Sequence, residues 1–170
     1  MVVENPYNRQ AQTDNQLLET YFLFNMTKVP AMSYFCQRVN LPSLNLEGIE
    51  QPSRYGARIF KAGDAYNHED LTIEFLVDEK MQNWLEIHDW LRSCANYKDS
   101  KEYVDDSIHT TGAELLILNS SYKPQFAVEF NSVIPTSISG LQFDSTTQDP
   151  QALVATATFK FTTYDITRVT

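Results

Sequence analysis

Apolar and polar side chains alternate between positions 70 and 78: Leu71, Ile73, Phe75 and Val77 fall on one side, Thr72 and Glu74 on the other. Successive side chains of an extended chain point to opposite faces, so this run predicts a half-buried strand. The period then lengthens. Met81, Trp84, Leu85, His88 and Leu91 recur at three- and four-residue intervals, which predicts a helix over about 79–93 with that stripe against a core. Asp78 is placed to accept from the free N–H groups of the first turn, and Glu79 complements the positive end of the helix dipole. Ile87 and Trp90 widen the stripe to a second face. Such a helix packs on two sides or touches a partner.

Elsewhere the pattern is that of strands. Residues 20–27 and 32–39 are rich in aromatic and β-branched side chains, and Pro30 separates them. Residues 113–119 and 125–131 read as a pair joined by a polar turn, with Phe126, Val128 and Phe130 alternating and Pro135 breaking the pattern. Residues 138–144 and 152–164 read as the last pair. In the latter, Ala155, Ala157, Phe159 and Phe161 form an apolar face, and Thr156, Thr158, Lys160 and Thr162 a polar one. A lumen, a water-exposed face or a subunit interface would each account for the hydroxyl-rich side. The fold class expected is mainly β: an antiparallel β-barrel or sandwich, closed or nearly so, with one flanking helix. Closure is the natural way to satisfy so many strand edges.

Residues 44–64 break the rhythm. Gly48, Pro52, Gly56 and Gly63 punctuate them, and Leu46, Ile49, Tyr55, Ile59 and Phe60 are spread between. Arg54, Arg58 and Lys61 give local positive charge. This predicts a long loop or irregular hairpin protruding from the core. Long segments of this kind in compact domains are functional or disordered, and Ile59 and Phe60 have no use in a solvated linker.

A chain of 170 residues is most simply one domain, here 20–170 preceded by a polar, flexible arm over 1–19. The formal net charge of −9 argues against a basic groove for nucleic acid. Met1 to Tyr7 lack the basic and apolar regions of a signal peptide, and no apolar run approaches the roughly 20 residues of a spanning helix, so no membrane role is expected. Cys36 and Cys94 share no metal-ligand spacing and are expected as free thiols.

No set of residues in the chain carries a recognisable catalytic pattern. His68, Glu69 and Asp70 are adjacent on an extended segment, so they cannot converge on one ion. His88 lies on the helix stripe and reads as a core-edge histidine, while His109 follows the polar segment Asn96 to Ser107 and reads as part of a solvated loop near Asp105 and Asp106. There is no nucleophile elbow, phosphate-binding loop or dinucleotide fingerprint. No enzyme, no metal and no cofactor is expected.

Taken in order, several blocks resemble the tail tube proteins of contractile-tailed bacteriophages. They are Phe24-Asn-Met-Thr-Lys-Val-Pro30, Phe35-Cys-Gln-Arg-Val-Asn-Leu-Pro42, Ala62-Gly-Asp64, Asp70-Leu-Thr-Ile-Glu-Phe-Leu-Val-Asp-Glu79 with the Trp84 to Leu91 helix, Ile134-Pro-Thr-Ser-Ile-Ser-Gly-Leu-Gln-Phe143 and Ala155-Thr-Ala-Thr-Phe-Lys-Phe161. The resemblance implies a structural virion protein, assembled in the host cytoplasm and resident in the tail. Its partners would be copies of itself in stacked hexameric rings, together with sheath and baseplate or terminator proteins. DNA would pass through the lumen without specific binding, helped by acidic charge that repels phosphate over about 8 Å at physiological salt. A baseplate-proximal initiator or cap of the same fold is the alternative within this class, and a small-molecule-binding β-barrel the alternative outside it. The protruding segment corresponds to the loop that reaches neighbouring subunits. Ile49, Tyr55, Ile59 and Phe60 are then expected as apolar anchors, with Arg54 and Arg58 pairing to carboxylates of an adjacent ring.

Overall fold

The computed structural model describes residues 16–52, 56, 58–94, 110–146 and 151–169. Most of the expected arm over 1–19, the polar loop with His109, and Arg54 and Tyr55 lie outside them. The element order is β1 (Phe22–Met26), α1 (Met32–Phe35), β2 (Cys36–Val39), β3 (Leu44–Pro52), β4 (Arg58–His68), β5 (Leu71–Leu76), α2 (Gln82–Cys94), β6 (Thr111–Leu118), β7 (Pro124–Ile138), β8 (Val154–Lys160) and β9 (Thr163–Arg168).

The main sheet is seven-stranded and antiparallel, ordered β1-β6-β7-β8-β5-β2, with β9 added on β7. It is not closed into a barrel. β1 and β2 end the sheet, each with one edge unpaired among the described residues. The 15-residue β7 divides it into two arms. Its first half lies between β6 and β9, and its second half pairs β8. The corner is Ser132, where φ is +55°. Against β6, two residues of β7 there oppose the single Gly112, a bulge that bends the strand from one arm into the other.

The two arms enclose one core. Leu71, Ile73 and Phe75 of β5 meet Ala155, Ala157 and Phe159 of β8, all fully buried, as the alternating pattern of both segments predicts. Phe24, Leu115, Val128 and Phe130 fill the other arm. Helix α2 closes the core by setting Ile87 and Trp90 inward, with the Trp90 ring 6.0 Å from that of Phe159. Burying a side chain such as Phe or Ile in this way stabilises the fold by about 1.5–3 kcal/mol each.

Four local expectations are corrected. The predicted strand over 32–39 begins instead as the helical turn α1, because Pro30 pre-sets a helical φ and Val29 O accepts from Met32 N at 3.1 Å. Pro135 does not break β7. It sits buried within the strand beside a bulge opposite β8, where a missing N–H is tolerated. Residues 139–144 form no strand, and β8 and β9 pair with β7 instead.

The fourth concerns α2. Asp78 does not cap it. The helix starts at Gln82, and the fully buried Asn83 does the anchoring. Its Oδ1 accepts from Trp84 N at 2.8 Å and Asp78 N at 3.3 Å, and its Nδ2 donates to Leu76 O at 2.8 Å. The buried face is therefore Asn83, Ile87 and Trp90, flanked by Trp84 and Leu91, while Leu85 is exposed.

Candidate functional site

Residues 44–68 fold as a β-hairpin, the second of the two forms expected of the protruding segment. β3 and β4 pair from Leu44↔His68 to Pro52↔Arg58 and make a separate two-stranded sheet. Glycine and proline, which read as loop punctuation, mark the bulge and the tip. The register shifts between Leu46 and Gly48, and there a Cβ on Gly63 would run into the Glu47 carbonyl. Gly56, at the tip, has φ +78°, a conformation that glycine alone adopts without strain.

The hairpin stands on an aromatic footing. At its root, His68 packs between Phe161 and Tyr164 at ring-centroid distances of 5.2 and 5.1 Å, and its own neighbour Tyr66 lies 5.1 Å away. Phe130 of the core lies 5.2 Å behind Phe161. Beyond this root the hairpin leaves the body: all nine residues of β3 are exposed.

Cross-strand partners share a face, so the register sorts the site residues. Ile49 pairs with Lys61, and Gln51 with Ile59, on one face; Glu50 pairs with Phe60, and Pro52 with Arg58, on the other. Ile49 and Ile59 are thus brought together, and Phe60 and Arg58 lie behind them. Phe60 is 72% exposed, Ile49 61% and Ile59 51%. The Arg58 guanidinium donates to Glu50 Oε2 at 2.8 Å within the hairpin itself. An exposed pair of this kind is worth about 0–1 kcal/mol and holds the tip together rather than the fold.

A second feature, not read from the sequence, lies on the open side of the main sheet. Between the unpaired edges of β1 and β2 runs a groove of about 720 Å³. Leu18, Phe22, Val39, Leu41, Leu115 and Ile117 line it, together with the charged Glu19 and Arg38. The only signal for it in sequence is the failure of the two edge strands to have partners, and that appears only once pairing is known.

The outward face of the β1-β6-β7-β9 arm carries a third. Asn25, Glu114, Glu129 and Asp165 are successive lateral partners across four strands. The next row on that face is Leu23, Leu116, Ala127 and Thr167. Like charges on adjacent strands destabilise by about 0.2–1 kcal/mol per pair, so the acidic row is a cost to the fold. Burying it against a protein surface without cations would cost several kcal/mol per ion.

Among the described residues, no three His, Cys, Asp or Glu are grouped as a metal ion would need. His88 stacks on Trp84 at 5.1 Å and 16°, with Nδ1 3.3 Å from the Asp89 carboxylate, at the edge of the core as expected. Cys36 and Cys94 are free thiols. Burial pushes the Cys36 thiol up to about 11, only partly offset by hydrogen bonding with the Arg38 backbone. Burial also raises Cys94, against the pull of the Lys28 charge and a hydrogen bond with Ser93.

A family model described as phage tail tube protein matches residues 3–167 of this chain. The tail tube terminator protein of Enterobacteria phage T4 is 24% identical over 165 residues, covering 91% of this chain and 91% of that protein. Among solved structures, the chain is similar to the tube-terminating cap of the anti-feeding prophage, with TM-score 0.67 and 14% identity over 98% of this chain and 100% of that one. It is also similar to a chain of the extended sheath–tube complex of an extracellular contractile injection system, with TM-score 0.65 and 15% identity over 92% of this chain and 94% of that one. At such identities the structural likeness shows the fold.

Proposed function

The chain belongs to the phage tail tube protein family, a family of structural tail proteins and not of enzymes, and from that premise we propose that it forms the terminal ring of a tail tube. One observation carries the choice of an end ring over the repeating body: the relationship to the tail tube terminator of phage T4 runs end to end along both chains. The tube body, the first expectation from sequence, uses the same fold, and fold alone does not separate the two.

Copies of the chain join through surfaces that the single chain leaves unpartnered. The hairpin leaves Ile49, Ile59 and Phe60 more than half exposed among the described residues. The described strand edges of β1 and β2 are open as well, and joining copies removes the hazard of such edges. Arg54 and Tyr55 sit next to the tip in sequence and belong to the same contact. The ring is a hexamer that seats on the tube, where sheath and other tail proteins are its neighbours. The net charge of −9 supports a channel that DNA crosses without adhering.

Gold-labelled antibody against this chain, applied to purified tails, separates the readings. Label confined to one end is the expected result. Label along the whole length returns the chain to the tube body, and unlabelled tails would overturn the assignment to the tail.

A further inference from the structure

The hairpin and the groove are two unpartnered features of one chain, at different places, and their chemistry is complementary. We infer that the Ile49–Ile59–Lys61 face of the hairpin seats in the β1–β2 groove of a second copy, which makes the contact between subunits head-to-tail. The inference rests on the ring proposed above and names which surface of one copy meets which surface of the next.

Four observations support this match. The groove is roomy enough for several side chains at about 720 Å³, and Leu18, Phe22, Val39, Leu41, Leu115 and Ile117 give it apolar surface between the polar Glu19, Thr20, Gln37 and Arg38. The hairpin face offers Ile49 and Ile59, both more than half exposed. Charge agrees as well: of the two charged groups lining the groove, Arg38 is already paired with Glu74 at 3.0 Å, whereas Glu19, like Lys61 on the hairpin face beside Ile49, makes no ion pair within the described residues. Backbone chemistry agrees too. Among the described residues, β1 and β2 each have one unpaired edge beside the groove, and the two-stranded hairpin has unpaired outer edges of its own. An added strand satisfies both.

A knob and a socket on different surfaces make a heterologous contact, which generates a ring when the rotation closes. A hairpin that met only a neighbour's hairpin would give an isologous pair and stop at two copies.

Cysteine pairing tests this. Ile59→Cys and Leu18→Cys are made separately in a chain whose Cys94 is replaced by serine, then mixed and oxidised under conditions in which the parent chain forms rings by negative-stain microscopy. The expected product is a disulfide-linked mixed dimer, about tenfold or more above an Ile59→Cys and Asp89→Cys control, because docking raises the effective concentration of the two thiols. Ile59→Cys linking to itself, or a mixed yield no higher than the control, overturns the inference while leaving the ring intact. A parent chain that stays monomeric at every concentration overturns the ring reading itself. Charge reversal gives a second readout. Lys61→Glu and Glu19→Lys each weaken assembly, and the double variant restores it. A double variant worse than either single one overturns the pairing of those two residues.

Discussion

Asn83 shows how one polar side chain can replace the expected cap. An acidic residue before a helical pattern is a sound N-cap signal, and Asp78 fits it. The amide of Asn83 wins because it both accepts and donates, and so ties the end of β5 to the first turn of α2. A carboxylate has no proton to give to Leu76 O. Asn83→Ala should therefore cost about 2–3 kcal/mol, as one buried carbonyl and two N–H groups lose partners, and Asn83→Asp more. Urea unfolding monitored by Trp fluorescence reads this directly. Cys36 makes a different kind of prediction. Its thiol titrates near 11 in the fold against 9.0 when free, so the ionised form favours the unfolded chain. The contribution of the neutral buried thiol is complete below pH 9 and is lost as pH rises towards 11. At pH 8 iodoacetamide should modify the exposed Cys94 first and Cys36 only slowly, a difference that peptide mass spectrometry resolves.

At the scale of elements, two backbone features decide the architecture. The corner of β7 at Ser132 lets one strand serve both arms. A non-glycine residue in the left-handed region costs about 1–2 kcal/mol, and a β-branched one more. Ser132→Gly should be neutral or stabilising by up to about 1 kcal/mol, and Ser132→Val should destabilise by more than about 1 kcal/mol; paired thermal melts check the ordering. The hairpin hinge at Gly63 is separable from the core. Gly63→Ala forces the Glu47 carbonyl aside, yet beyond the hairpin's root nothing of the body rests on it. The melting temperature should hold within about 2 °C, while ring formation drops sharply in negative-stain images. A loss of melting temperature as large as that of Asn83→Ala would show the hairpin to be part of the core. Such features are invisible to a hydropathy pattern. Glycine at 48, 56 and 63 reads equally well as loop, turn or bulge until the partner strand is known.

The whole molecule is acidic, and three of its 22 acidic residues fall in one row. Glu114, Glu129 and Asp165 form a lateral row on an outward face, where they weaken the sheet. A row of that kind repels a phosphate backbone, and lysine at the same positions would attract one. The chain should leave the gel mobility of a short duplex unchanged at physiological salt. A variant with lysine at positions 114, 129 and 165 should retard it, with the effect fading steeply as salt rises; a parent chain that already retards DNA would remove the argument.

Pattern and composition are enough to read off the β class, a strand followed by a helix across residues 70–93, the acidic character and the family resemblance. Each of these is local or additive: alternation fixes which face a strand buries, a 3.6-residue stripe marks a helix, and charge simply sums. The sequence also singled out the segment that leaves the body, because apolar residues among glycines and prolines belong neither to a core strand nor to a solvated linker. Tertiary structure alone decided which of those residues share a face, that Asn83 rather than Asp78 anchors α2, and that the sheet stays open between β1 and β2. Those outcomes depend on register and on strand order between residues far apart in the chain. A shift of one residue exchanges the two faces of a strand, and no periodicity within a single segment carries that information.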